Sequence, residues 1–161
     1  MKSSYIVVFG SGELAKVGTQ THTAIAKQTG MKDPRVVILT TPVGFQPNKI
    51  NLANEIKDHM EKALYNFHPR VNIVDIPTRK EANDEQVVSA LSGADYIYFG
   101  GGSPTYLINT MVDTLLLRRV VELVHNERAS LSLASASAIA FSRWSLPVYE
   151  IFKVGEELHW V

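Results

Sequence analysis

The stretch SLSLASASAIAFS, residues 130–142, decides the fold that we expect for this chain. Its first half alternates and is almost wholly small or apolar, which is typical of a strand buried on both faces of a parallel sheet. It continues, with no turn residue between, into residues 138–141, a pattern typical of the first turn of a helix. Ser137 lies at this junction, so the stretch predicts a strand that runs directly into a helix with a serine at the bend.

Such a bend is the layout of a nucleophile elbow, in which the serine hydroxyl is raised above the carboxyl edge of the sheet. The usual elbow sequence is G-x-S-x-G, because the strand and helix backbones come so close that a side chain would clash. Around Ser137 the two glycine positions are filled by Ser135 and Ile139. A purely structural strand–helix junction therefore remains open beside the catalytic interpretation.

The composition predicts one ordinary globular domain, residues 1–161, with 45% hydrophobic and 20% charged residues. Its length suffices to bury a sizeable core. A formal net charge of zero argues against nucleic acid or an anionic membrane surface as the main partner. The sequence contains no cysteine, which removes disulfides, thiolate metal sites and cysteine nucleophiles.

The compartment follows from the absence of targeting signals in the sequence. The apolar run before Gly10 is too short for the core of a signal peptide, and no run approaches membrane-spanning length. We therefore expect a cytoplasmic protein that binds neither nucleic acid nor a membrane. No residue pattern indicates a metal or another cofactor, and a homodimer is compatible with the composition.

Apolar runs rich in β-branched and aromatic residues alternate with helical patterns along the chain. The longest predicted helix carries one apolar face, formed by Ala53, Ile56, Met60, Ala63, Leu64 and Phe67. The predicted strands are residues 5–9, 36–39, 71–76, 96–99 and the first half of 130–142. This order predicts a three-layer α/β sandwich with a mostly parallel sheet.

Capping residues mark where several helices are expected to begin. Thr19 or Thr21 is expected to cap the first helix, and Asn83 a short helix in the middle of the chain. Ser103 and Pro104 predict the N-cap and the first position of another helix.

Unusual loops follow several of the predicted strands. They are Gly10-Ser11-Gly12-Glu13, a proline-rich stretch at residues 42–48, and a triple glycine at residues 100–102. Successive glycines free the backbone to turn its N–H groups toward a ligand. Because the ligand site of a parallel sheet lies beyond the carboxyl ends of its strands, these loops favour a functional role for the serine bend.

Taken together and in this order, the loops resemble the dipeptidase E and cyanophycinase-like serine peptidases, whose fold is similar to that of class I glutamine amidotransferases. The resemblance implies a flavodoxin-like α/β fold and a hydrolase that transfers the acyl group of a small peptide to a serine. The matching stretches cover nearly the whole chain: residues 10–13, 39–42, 44–48, 94–106, the serine bend and 147–151.

The resemblance also implies roles for individual residues. Ser137 would be the nucleophile, and Glu150 the acid that orients the base. The N–H groups of Gly101 and Ala138 would form the oxyanion hole. The predicted substrate-binding residues are Gly12, Glu13, Gly100, Gly102 and Ser103.

The base histidine is the part that the sequence does not supply. In the family it follows the acid in a segment beyond Val161, so the chain is expected to be short at its C-terminus. We expect it to hydrolyse Asp-X dipeptides or similar small peptides far more slowly than a family member with its full C-terminus. His22 and His159 are the remaining candidates, whereas His59 and His68 are expected on the surface. A second hypothesis therefore stays open, namely a degenerate relative that serves as a binding or oligomerisation domain. The lack of cysteine disfavours a glutaminase.

Overall fold

The computed structural model describes residues 3–148. Its strands are β1 (Ile6–Phe9), β2 (Arg35–Leu39), β3 (Arg70–Val74), β4 (Tyr96–Phe99) and β5 (Ser130–Ala134). Its α-helices are α1 (Lys16–Gln28), α2 (Lys49–Ala63), α3 (Glu85–Ser89), α4 (Pro104–Met111), α5 (Leu115–His125) and α6 (Ala136–Ala140). Within these residues, no helix is both long enough and apolar enough to cross a membrane.

The five strands form one parallel sheet in the order β1-β5-β4-β2-β3. From β2 the chain continues outward to β3, and from β4 it continues the other way to β5. Two neighbouring strands whose connections leave in opposite directions define a topological switch point, where α/β sheets bind ligands. The expected three-layer, flavodoxin-like α/β class with a parallel sheet is confirmed, and the ends of β2 and β4 mark its crevice.

The sheet is buried between two helical layers, because successive side chains of a strand point to opposite faces. One apolar cluster joins the sheet to α1 and α2, and the other joins it to α3, α4 and α5. Strands covered on both sides need apolar residues at every position, which explains the unbroken apolar runs in the sequence. The central strands supply Val36, Ile38, Tyr96 and Tyr98 to the first cluster and Val37, Leu39, Ile97 and Phe99 to the second.

Strand β1 lies at the edge of the sheet and is well covered on one face only. Phe9, which points toward α1, is 7% exposed. Ile6 and Val8 point to the opposite face and are 61% and 62% exposed. Within residues 3–148, the second helical layer therefore does not extend over β1.

Helix α1 begins earlier than the sequence predicted. Its first residue is Lys16 and its N-cap is Ala15, so neither Thr19 nor Thr21 caps it. The Thr21 hydroxyl instead donates to the Val17 carbonyl one turn earlier. The expected cap is wrong because the first loop packs directly onto the helix, and such tertiary packing overrides local preference.

The N-termini of α3 and α4 follow the expected chemistry more closely. The cap of α3 is Asp84, one residue after the expected Asn83, and its carboxylate accepts hydrogen bonds from two backbone N–H groups of the first turn. In α4 the expected cap is confirmed, because the Ser103 side chain accepts from the Tyr106 N–H and Pro104 occupies the first helical position.

The contact between the first loop and α1 leaves no room for a side chain at Gly18. A Cβ there would lie 1.9 Å from the Glu13 carbonyl oxygen. An exposed glycine-to-alanine change in a helix usually stabilises by up to about 1 kcal/mol. We expect Gly18→Ala to destabilise the protein by about 1–3 kcal/mol instead, because the backbone at Glu13 or in α1 must move to make room for the methyl group. Urea denaturation measures this change.

Gly10→Ala is the matched control, because a Cβ at Gly10 would meet no heavy atom within 4 Å. Its effect should stay within about 0.5 kcal/mol. A Gly18→Ala protein as stable as the parent would show that the first loop is not seated on α1.

Candidate active site

The chain bends sharply at Ser135, between β5 and α6. Its backbone has φ 51° and ψ −113°, and a positive φ is uncommon for a residue other than glycine. The Ser135 N–H donates to the Phe9 carbonyl at 2.8 Å, whereas its side chain is exposed. A strained, exposed serine between a strand and a helix is the geometry of a nucleophile elbow.

Ser137 has a different environment from the one predicted for it. It is the second residue of α6 and fully buried, and its hydroxyl donates to the Gly100 carbonyl at 2.6 Å. The expectation that the bend and its raised hydroxyl lie at Ser137 is wrong. The physical reason is that α6 begins at Ala136, so the bend comes two residues earlier than the sequence indicated.

The corrected position of the bend changes how the elbow pattern applies. Centred on Ser135, the glycine positions of G-x-S-x-G are occupied by Leu133 and Ser137. The serine at the second of these positions is accommodated by its hydrogen bond to the neighbouring loop. The sequence signal was present, but two serines separated by one alanine made the register ambiguous.

The triple-glycine loop after β4 lies against the Ser135 side chain. A Cβ on Gly101 would be 3.6 Å from Ser135 Cβ and 3.8 Å from Ser135 Oγ. The described chain has no cis peptide bond, so the Gly100 carbonyl and the Gly101 N–H point in opposite directions. Because the carbonyl points to the buried Ser137 hydroxyl, the Gly101 N–H points away from the interior at that place.

Backbone donors near Ser135 have no hydrogen-bond partner in the part of the chain that the structure describes. Within residues 3–148, the Gly101 N–H makes no hydrogen bond. Ala136 and Ala138 are the first and third residues of α6, and N–H groups in the first turn of a helix have no partner within the helix. The donors predicted from the sequence are Gly101 and Ala138. Gly101 lies beside Ser135. The residue that directly follows Ser135 is Ala136, so Ala136 takes the place of Ala138 as the second donor.

The triple-glycine loop is held in place by the loop after β2. The Ser103 N–H donates to the Pro42 carbonyl at 3.0 Å. Gly102 has φ 154°, and a Cβ there would lie 2.0 Å from the same carbonyl oxygen. Only glycine allows this close approach of the two backbones.

A cleft of about 310 Å³ opens at the switch point between the ends of β2 and β4. Of the predicted substrate-binding residues, Glu13, Gly100 and Gly102 line it, and Gly101 lines it as well. Gly12 and Ser103 are not among its lining residues. Gly12 has φ 81° in the preceding turn, and Ser103 caps α4, so both have structural roles.

Helix α2 contributes cleft residues that were not predicted from the sequence as part of a site. They are Leu52, Ala53, Glu55 and Ile56, which lie on one side of its first turns. Three- and four-residue spacing is shared by every amphipathic helix, so it gave no sign that this face covers strand ends rather than the core alone.

His22 is a core residue and not a base at the strand ends. Its side chain is fully buried, and its Nδ1 lies 2.7 Å from the Tyr96 hydroxyl oxygen. Burial lowers the pKa of His22 to about 4, an effect that the Glu13 backbone opposes and the nearby His59 increases. A neutral histidine enclosed in this way is not available to take a proton from Ser135.

His59 is half-buried, contrary to the expectation of a solvated surface residue. Its Nε2 lies 3.4 Å from the Thr19 hydroxyl oxygen, and its ring centroid is 6.2 Å from that of His22. Burial and Lys62 lower its pKa. The other predicted site residues, Glu150 and His159, lie outside the described residues.

Comparison with known proteins defines the fold class. No protein-family model and no curated protein sequence matches this chain. A peptidase from an acI-B1 actinobacterium matches with a TM-score of 0.74 and 23% identity, over 89% of this chain and 59% of that chain. A candidate peptidase E from Listeria monocytogenes EGD-e matches with a TM-score of 0.62 and 17% identity, over 93% of this chain and 66% of that one.

These matches confirm, at the level of the fold, the resemblance to dipeptidase E-like proteins. The chain has the α/β fold of these two peptidases. It spans 59% of the length of the first of them.

The buried His22 should make stability depend on pH. Its pKa is about 4 in the folded protein against 6.5 for an unperturbed histidine, so the unfolded chain binds more protons between these values. The contribution is complete above pH 6.5 and is lost as the pH falls toward 4. We expect a loss of at most about 3 kcal/mol, measured by urea denaturation from pH 7.5 to 4.5.

His22→Gln should flatten this pH dependence while keeping a polar group beside Tyr96. His125→Gln, at an exposed position, should leave it unchanged. Equal pH dependence in the parent and in His22→Gln would contradict the assignment of this titration to His22.

Proposed function

We propose that this chain carries the core of a serine hydrolase that acts on small peptides, with Ser135 as its nucleophile. The observation that carries the proposal is the positive φ of an exposed serine at a strand–helix bend, directly beside Gly101. The fold shared with two peptidases supports the same reaction class. Ser135 replaces Ser137 in the role that the sequence suggested.

The chemistry that we propose is acyl transfer followed by hydrolysis. Ser135 Oγ attacks the peptide carbonyl carbon while a base removes the hydroxyl proton. The N–H groups of Gly101 and Ala136 donate to the developing oxyanion. The intermediate collapses, the amine leaves with the proton from the base, and water then hydrolyses the acyl-serine to release the acid.

The base is to be sought outside residues 3–148. His22 is enclosed in the core, and His59 packs beside it between α1 and α2. We assign Glu150 the role of orienting the base, as the resemblance to the peptidase family implies. The alternative of a non-catalytic binding domain is not favoured, because a domain without chemistry has no need of the strained backbone at Ser135.

We assign Ser137 a positioning role instead of a catalytic one. Its hydroxyl fixes the direction of the Gly100 carbonyl, and the planar peptide then fixes the opposite direction of the Gly101 N–H. A donor that is already oriented stabilises an oxyanion without reorganisation during the reaction. Ser137 therefore acts through Gly101.

The nucleophile is tested by reaction with a fluorophosphonate probe, followed by peptide mapping of the adduct. We expect the probe on Ser135 and none on Ser137, because only the Ser135 side chain is exposed. Ser135→Ala should abolish labelling, whereas Ser89→Ala, a remote exposed serine in α3, should not. Labelling that persists in Ser135→Ala would refute the proposed nucleophile.

The positioning role is tested with Ser137→Ala. Loss of the bond to the Gly100 carbonyl should cost about 1–3 kcal/mol of stability, measured by denaturation, because a buried acceptor loses its donor. The labelling rate of Ser135 should fall about tenfold, which corresponds to about 1.4 kcal/mol of lost donor alignment. Ser142→Ala, whose hydroxyl donates to exposed carbonyls in the turn after α6, is the control and should lower stability by no more than about 1 kcal/mol while leaving the labelling rate unchanged.

A purely structural Ser137 would give a different result in this experiment. The Ser137→Ala protein would then be less stable, but under conditions where it is fully folded its Ser135 would react at the parent rate.

A further inference from the structure

The charges that line the cleft all have the same sign. Glu13 and Glu55 contribute carboxylates, and none of the described lining residues is a lysine or an arginine. The nearby Lys49 at the start of α2 is directed to Asp75, with a nitrogen–oxygen distance of 3.8 Å. A ligand in this cleft therefore meets negative charge that no described lining residue neutralises.

Glu13 is held firmly at one end of the cleft. The Ala15 N–H donates to the Gly12 carbonyl at 3.0 Å, which closes a tight turn around Glu13. The Glu13 carbonyl packs against Gly18 of α1, where a Cβ would lie only 1.9 Å away. The half-buried Glu13 side chain forms no ion pair with another described residue.

The elbow lies between the Glu13 loop and the triple-glycine loop. On one side, the Ser135 N–H donates to the Phe9 carbonyl, four residues before Glu13. On the other side, Gly101 lies against the Ser135 side chain. Ser135 does not itself line the cleft, but Gly101 does, so a peptide bound in the cleft is next to the elbow through Gly101 and has Glu13 among its other contacts.

The remaining cleft walls are largely apolar. They include Leu14, Ile38, Leu39, Pro42, Leu52 and Ile56. A volume of about 310 Å³ is at the small end of ligand sites, which suits a short peptide and not a folded chain.

From these features, and on the basis of the proposed function, we propose that the cleft selects short peptides with a free amino terminus and an apolar first residue. The substrate α-ammonium binds the Glu13 carboxylate, and the apolar side chain packs against the cleft walls. An aspartate at the first position is disfavoured, since its carboxylate would be placed near Glu13 and Glu55, and the described lining residues include no lysine or arginine.

The binding test uses the Ser135→Ala protein, so that no turnover interferes. Isothermal titration calorimetry at pH 7.5 and low salt compares Leu-Ala, N-acetyl-Leu-Ala and Asp-Ala. We expect Leu-Ala to bind about tenfold more tightly than the other two, as one charged hydrogen bond would provide. Adding Glu13→Gln should reduce Leu-Ala binding to the level of N-acetyl-Leu-Ala.

Asp58→Asn is the control, because it removes one negative charge from an exposed position of α2 that does not line the cleft. Its effect on Leu-Ala binding should be less than about threefold, since charges exposed to solvent are screened. Thermal unfolding of each variant checks that the fold is retained. Equal binding of Leu-Ala and N-acetyl-Leu-Ala, tighter binding of Asp-Ala, or no detectable binding of any peptide would overturn the proposal.

The two proposals fail in distinguishable ways. If the probe labels Ser135 but the free amino terminus gives no advantage, the selectivity assigned to Glu13 is wrong and the serine mechanism stands. If Leu-Ala is selected through Glu13 but Ser135 does not react, the cleft is a peptide-binding site without the proposed chemistry.

Discussion

The site depends on one buried hydrogen bond, from the Ser137 hydroxyl to the Gly100 carbonyl. It joins the first turn of α6 to the loop after β4, and so connects two neighbouring strand ends. A carbonyl in this buried position needs a donor, since an unpartnered buried acceptor is costly. Because the peptide is planar, one bond satisfies the carbonyl and also fixes the Gly101 N–H in the opposite direction. The interior of the protein therefore sets the geometry of its exposed elbow.

The sequence was sufficient to predict the architecture, and the reason is physical. A parallel sheet covered on both faces requires apolar residues at consecutive positions, and β4 was predicted at Tyr96–Phe99 with its observed bounds. The loops at the strand ends were also recognisable, because glycine and proline mark places where regular structure stops. Three of the five predicted substrate-binding residues, Glu13, Gly100 and Gly102, line the cleft for this reason.

The position of the bend could not be predicted from the sequence in the same way. Alanine and serine alternate from Ala134 to Ala138, and each fits either the end of a strand or the start of a helix. Long-range contacts decide between strand and helix. The Ser135 N–H donates to the Phe9 carbonyl, and the Ser137 hydroxyl donates to the Gly100 carbonyl. The enclosure of His22 by α1, α2 and the sheet is likewise a long-range result, since its partner Tyr96 is 74 residues away in the chain.

The position of β1 has a consequence for the order in which the protein folds. Of the described strands this one is made first, yet its only neighbour among them is β5, where Ile6 pairs with Leu131. During synthesis the apolar residues of β1 therefore have no strand to pair with until β5 has been made. Contacts of such long sequence separation form slowly. Since the Phe9 carbonyl holds the backbone of Ser135, the bend is complete only when β1 has docked. Reactivity at Ser135 would then report whether β1 has docked, because a chain in which β5 is formed but β1 is not docked lacks the hydrogen bond that holds the bend.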